Sequence, residues 1–222
     1  MRPFADLYAR AARRKGGADA LEALIPQPQS TAALRRISDD RWLAAMTQCV
    51  FQAGFVWRVV EHKWAGFEAA LNRFDAHALA YLAYEHIEAL LKDTRLIRHH
   101  AKLLATRDNA RFVLDLAAEH GSAGAFFAAS KATDYAALLE LLKRRGSRLG
   151  GNSGAYFLRR MGVDSWILSV DVVAVLIDEK VVSKAPTSKR DLQAVQDAFN
   201  TWCDQSGRTL TTVSRVLALS ID

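Results

Sequence analysis

The chain has 222 residues, half of them apolar, with 30 basic against 24 acidic side chains and a net charge of +6. That apolar content excludes a disordered chain and suffices for a buried core, so a single domain over 1–222 is expected. The positive balance favours anionic partners such as nucleic acid, and only two cysteines, Cys49 and Cys203, exclude a disulfide framework or a cysteine-built zinc site.

The opening "MRPFADLYARAARRKGG" is charged throughout, unlike a secretory signal, and the longest apolar run, "WILSVDVVAVLI", is too short to span a bilayer. A soluble protein of the reducing cytoplasm, with no membrane partner, is the expectation. Residues 1–30 read as an N-terminal arm that ends in a linker, the "IPQPQS" of Ile25 to Ser30. Ser38 followed by Asp39 and Asp40 signals an N-cap with first-turn acids, opening a helix that buries Trp42, Leu43, Met46 and Val50. A longer helix is predicted from about Arg98 to His120, with Leu103, Leu104, Val113, Leu116 and Ala117 on its inner face and Gly121 as a left-handed cap. Asp134 begins a short helix through Leu142, and Ser188 begins the penultimate one. "VDVVAVLI" has the composition of a buried strand, but no partner strand of comparable strength exists, so it is assigned to helix. The fold class that follows is all-α.

Between the helices ending near Leu142 and starting near Tyr156 lies "LGGNSGAYF". Gly150 and Gly151 mark a reversal, with Asn152 or Ser153 where an N-cap belongs, and consecutive amides from Gly151 to Gly154 would form an anion nest at the positive end of a helix dipole. Lys143, Arg144, Arg145 and Arg148 surround the turn with positive charge, which suits a DNA phosphate. An ordinary helix-turn-helix corner has the same local pattern. Neither the P-loop nor the dinucleotide-binding spacing is present.

The hairpin, the helix carrying Tyr156, and Gly162 resemble the helix-hairpin-helix of the DNA glycosylase superfamily. In many members a catalytic aspartate in a "VD" pair follows the hairpin's last glycine by 20 residues, and Asp171 in "SVDVV" stands 20 residues after Gly151. A second resemblance, from Asp39 to about Gly162, is to the DNA-3-methyladenine glycosylase I family. "QAGFVWRVVEHKW", "RFDAHALAYLAYEHIEALLKDTRLIRHHAKLLATRDNAR" and "LLKRRGSRLGGNSGAYF" follow that family's three blocks in order. The resemblance implies a helix-hairpin-helix glycosylase fold with two helical lobes around a cleft, and a hairpin and catalytic region at 143–177. It implies double-stranded DNA with a damaged base as partner, and a bacterial, nucleoid-associated monomer without a cofactor. Three departures stand out. The family's terminal zinc ligands are missing, so no metal is expected; Cys49 occupies the place of the base-reading glutamate; and Asp171 belongs to the wider superfamily rather than to this branch.

The residues support that chemistry on their own terms. Trp57 and Phe55 either pack in the core or offer stacking faces, which attract a cationic alkylated purine; Gln52 offers an amide to the base edge, Tyr156 joins the base-binding set, and the resemblance adds Cys49 to it. Asp171, the sole acid in an apolar stretch, can stabilise positive charge developing on the sugar, or can serve as a helix N-cap. Ser153 stands where bifunctional members of the superfamily carry a nucleophilic lysine, so hydrolysis without strand cleavage is implied. Adjacent His99 and His100 point in different directions on a helix and are assigned solvated or capping roles. Two function classes remain: a monofunctional glycosylase for 3-methyladenine-like alkylated purines, and a DNA-binding protein that kept the fold and lost excision. A helical interaction scaffold is disfavoured by the basic hairpin.

Overall fold

The computed structural model describes residues 1–221, and among them every regular element is helical. In chain order these are α1 (Phe4–Lys15), α2 (Ala18–Glu22), α3 (Thr31–Arg35), α4 (Asp39–Gln52), α5 (Trp57–His62), α6 (Trp64–Ala70), α7 (Ala76–Ala80), α8 (Tyr84–Lys92), α9 (His100–His120), α10 (Ala123–Ala128), α11 (Tyr135–Arg145), α12 (Asn152–Arg160), α13 (Val170–Asp178), α14 (Lys189–Ser206) and α15 (Leu210–Leu219). The chain forms two compact units rather than the single one expected. One comprises Met1–Gln29, Ser130–Leu138 and Gly162–Asp222; the other comprises Ser30–Ala129 and Leu139–Met161. "IPQPQS" is irregular and its end coincides with the first boundary.

The unit built from residues 30–129 and 139–161 centres on α4 and α9. Trp42, Leu43, Met46 and Val50 are buried on α4, as their helical spacing predicts. Trp42 stacks on Phe127 of α10 at 4.5 Å between centroids and meets the edge of Phe157 of α12 at 5.9 Å. α9 ends at Gly121, whose φ of 85° is the left-handed conformation read from the sequence. Before α7 the chain makes a left-handed turn at Asn72, Arg73 and Phe74. Trp64 stacks on Phe74 at 5.3 Å, and Arg41 donates to the Arg73 carbonyl at 2.8 Å, which together hold that strained turn. Asp75 then caps α7 by accepting from the amides of His77 and Ala78.

The other unit corrects the reading of residues 1–30 as an arm. Phe4, Leu7 and Ala11 recur at helical spacing and are buried on α1, with Leu21 buried on α2. Trp202 Nε1 donates to the Arg2 carbonyl at 3.1 Å, and Arg2 pairs with buried Glu179 at 2.5 Å, so the start of the chain is tied to α14 and to the residue after α13. "VDVVAVLI" lies in α13, a helix as assigned. Ser188 opens α14 with a capping box completed by Asp191. α11 begins one residue after Asp134 and continues past Leu142 to Arg145, which brings the basic cluster onto its last turn.

Candidate functional site

α11 and α12 are joined by a tight loop whose geometry follows from its glycines. Gly151 is the N-cap of α12, at φ 58° and ψ −140°, a conformation that glycine alone adopts readily; this corrects the expectation of a cap at Asn152 or Ser153. A Cβ on Gly154 would lie 2.4 Å from the Leu149 carbonyl oxygen, so the first turn of α12 sits directly on the loop. The side-chain amide of Asn109 on α9 clamps Ser147 from both sides, donating to its carbonyl at 3.0 Å and accepting from its amide at 2.8 Å. The opening amides of α12 lack intrahelical acceptors, which makes this end of the helix electropositive.

The basic residues around the loop divide into two groups. Lys143, Arg144 and Arg148 are exposed, and so are Gly151 and Asn152; Gly150 and Ser153 are half-buried. Arg145 instead turns back onto α9, where it forms a bidentate pair with Glu119 at 2.6 and 2.8 Å and lies 5.3 Å from the Phe112 ring centroid. Its charge is therefore committed inside the unit, contrary to its assignment as a DNA contact.

Beside the loop is a cavity of about 210 Å³. Cys49 and Gln52 line it from the end of α4, Phe55 and Trp57 from the turn that follows, and Asn152, Ser153 and Tyr156 from α12. All five residues assigned to base binding from the sequence thus border one space together with two residues of the hairpin. The rings of Trp57 and Tyr156 meet edge to face at 5.4 Å and are part-exposed. The turn depends on Gly54, at φ 74°, and on Lys102 of α9. Lys102 is buried and donates through Nζ to the carbonyls of Phe51 at 3.0 Å and Ala53 at 2.6 Å, with the Phe55 ring 4.4 Å away. Burial, and secondarily the charge of Arg148, holds the Lys102 ammonium below its usual pKa. Its place in the family-like pattern is visible in the sequence, but its task of fixing the α4 terminus is not.

Polar groups behind the cavity form a chain. Arg160 of α12 donates to Gln48 Oε1 at 2.5 Å and to Gln52 Oε1 at 2.8 Å, while Gln52 Nε2 donates to Glu61 Oε1 at 3.5 Å. Burial pushes the Cys49 thiol up despite the nearby Arg160 guanidinium, so the side chain is neutral at pH 7. His99 immediately precedes α9 with its ring 6.2 Å from Phe55, and His100 approaches Glu88 at 3.8 Å.

Asp171 lies in the other unit, as the second residue of α13. The cap of that helix is Ser169, whose side chain accepts from the Val172 amide at 3.2 Å. The half-buried Asp171 carboxylate has no hydrogen-bond or ion-pair partner among the described residues, so the capping role open to it from the sequence is filled by a neighbour. Among the described residues no group of three or more His, Cys, Asp or Glu side chains could hold a metal ion, and no helix is long and apolar enough to cross a membrane.

Residues 34–158 match the profile of a family described as methyladenine glycosylase. The DNA-3-methyladenine glycosylase 1 of Escherichia coli K12 is 35% identical over 65 residues, which are 29% of this chain and 35% of that protein; the match thus spans about a third of the relative's length. The 3-methyladenine DNA glycosylase I of Staphylococcus aureus superposes over 63% of this chain and 81% of its own at 21% identity, with a TM-score of 0.52. The 8-oxoguanine DNA glycosylase of Methanocaldococcus jannaschii superposes over 94% of this chain and 90% of its own at 16% identity, with a TM-score of 0.59. At these identities the two structures show a common fold.

Proposed function

Because this chain belongs to the methyladenine glycosylase family, we propose that it is a monofunctional DNA glycosylase that hydrolyses the N-glycosidic bond of alkylated, 3-methyladenine-like purines in duplex DNA, in base-excision repair. The observation that carries this reading is the convergence of Cys49, Gln52, Phe55, Trp57 and Tyr156 on one cavity beside the hairpin. In this reading the protein acts as a monomer without a cofactor, at the nucleoid of a bacterial cytoplasm.

The chemistry divides into grip, capture and cleavage. The hairpin amides from Gly151 to Gly154, with Lys143, Arg144 and Arg148, hold the phosphate backbone while the damaged nucleotide leaves the stack at a cost of a few kcal/mol. Trp57 and Tyr156 receive the base, and a cationic purine gains from their electron-rich faces. A water oxygen then attacks C1′ and the C1′–N bond breaks. The bonding electrons leave with the base, neutralising its positive charge, and the water's proton passes to solvent. The role assigned to Asp171 is to stabilise the positive charge on the sugar and to orient that water. Ser153 has no amine with which to attack C1′, so no Schiff base forms and the strand stays whole.

The test is incubation with end-labelled methylated duplex. Free methylated purine and an abasic site should appear, with strand breaks only after alkali. Tight binding with no abasic site would identify a DNA-binding protein that has lost excision.

A further inference from the structure

The cavity lies between two helix faces. Gln48, Cys49 and Gln52 share one face of α4, and Asn152, Ser153, Tyr156 and Arg160 share one face of α12, since positions three and four apart are neighbours on a helix. Five of these residues line the cavity, while Gln48 and Arg160, each one turn from a lining residue, lie just beyond it. Arg160 joins the two faces. Its guanidinium donates to the side-chain oxygens of Gln48 and Gln52, and its charge also acts on the Cys49 thiol. A planar fork of donors suits two acceptors at once, and hydrogen bonds from a charged donor are the strong kind.

Arg160 stands apart from the phosphate grip. It is the last residue of α12, about 12 Å along the helix axis from the exposed opening amides, and its hydrogen bonds are made to α4. An isolated cation behind a pocket for a cationic purine would oppose the ligand. Here the chain of bonds continues from Gln52 Nε2 to the Glu61 carboxylate at 3.5 Å, so the wall behind the cavity carries both signs of charge.

We propose that Arg160 is a positioning residue for base excision: by tying Gln48 and Gln52 to the end of α12, it holds the α4 wall of the pocket at a fixed distance from Tyr156 and so seats the damaged base for cleavage. The inference rests on the glycosylase reading above and adds to it a residue that acts through the pocket wall, in contact with neither base nor phosphate.

The experiment compares the natural protein with Arg160→Met, which loses both hydrogen bonds, Arg160→Lys, which keeps the charge, and Gln48→Leu, which removes an acceptor that lies outside the cavity. Each is measured for single-turnover release of 3-methyladenine from methylated duplex, affinity for the free base by calorimetry, salt dependence of binding to undamaged duplex, and melting temperature. Release by Arg160→Met should fall about 10- to 100-fold, the scale expected when reacting groups are displaced by about an ångström. Free-base affinity should fall with it while the salt slope holds, and Arg160→Lys should recover part of both losses. Gln48→Leu should also slow release, and adding it to Arg160→Met should cost nothing further, because the two act through one contact. Unchanged release and free-base affinity in Arg160→Met would overturn the inference. A salt slope lower by about 0.9 would overturn it too, by making Arg160 a phosphate contact. So would parallel losses of release and melting temperature that Arg160→Lys does not relieve. If the natural protein releases no base, the glycosylase reading falls; weaker free-base binding by Arg160→Met would then still uphold Arg160 as the residue that positions the pocket, and equal binding would sink it.

Discussion

The unit that holds the cavity and the hairpin carries nearly all of the family-matched segment, 34–158, whereas the unit that holds Asp171 shares with it only residues 130–138. Buried polar contacts do not account for the difference, because both units have them. In the first of these units Asn109 serves both sides of Ser147 and Lys102 serves two carbonyls. In the other, Gln196 accepts from the Ala136 amide, Asp164 accepts from the amides of Leu210 and Thr211, and Arg2 pairs with buried Glu179. The family pattern instead follows the residues of the cavity and the hairpin, and Asp171 stands outside it.

That division of labour breaks most sharply at Asp171. Replacing it with Asn removes the charge and keeps the shape, and since Ser169 supplies the helix cap, the melting temperature should hold. Affinity for damaged duplex should also hold, while single-turnover base release falls about 10- to 1000-fold, on the order of 1.4 to 4 kcal/mol of transition-state stabilisation. Full activity in the Asn variant would move catalysis to the binding of the leaving base. Next in size is Lys102→Met, which leaves the carbonyls of Phe51 and Ala53 without their donor. Loss of those charged hydrogen bonds should cost about 2 to 4 kcal/mol in denaturant unfolding. An unchanged midpoint would show that the α4 terminus does not need its clamp.

The smallest effects sharpen the contrast within the hairpin. Arg148→Gln and Lys143→Gln should each flatten the dependence of log affinity on log salt by about 0.9. Arg145→Gln should leave that slope alone and lower the melting temperature slightly, because its guanidinium pairs with Glu119. Equal slope changes in all three variants would return Arg145 to the DNA-facing group.

Much of the fold is legible in the sequence wherever the signal is local. The Ser188–Asp191 capping box, the Gly121 cap and the apolar face of α4 lie within a few residues of what they determine. On α9 Leu103, Val113 and Leu116 are buried as expected, but Leu104 and Ala117 are only half-buried, and polar Lys102, Thr106 and Asn109 take their place in the interior. α1 was misread because its cluster of basic residues hides the Phe4, Leu7, Ala11 stripe, which alone decides burial. The site is half legible. Cys49, Gln52, Phe55, Trp57 and Tyr156 are marked by motif, but the clamps that orient them, Lys102 and Arg160, act on residues about 50 and about 110 positions away in the chain. No spacing rule reaches that far. Gly151 displaced Asn152 and Ser153 as the cap because the loop demands a positive φ, a demand that becomes visible only once the close approach of Gly154 to Leu149 is known.

The central claim is that the cavity at Trp57 and Tyr156 receives the damaged base, and intrinsic tryptophan fluorescence tests it directly. Of the five tryptophans, Trp42, Trp166 and Trp202 are fully buried and half-buried Trp64 is stacked on Phe67 and Phe74, so part-exposed Trp57 should dominate any response to a stacked base. Titration with lesion-bearing duplex should give a saturable quench that a matched undamaged duplex does not, and Trp57→Phe should abolish the difference. An equal quench from both duplexes, or a lesion-dependent quench that persists in Trp57→Phe, would contradict the account.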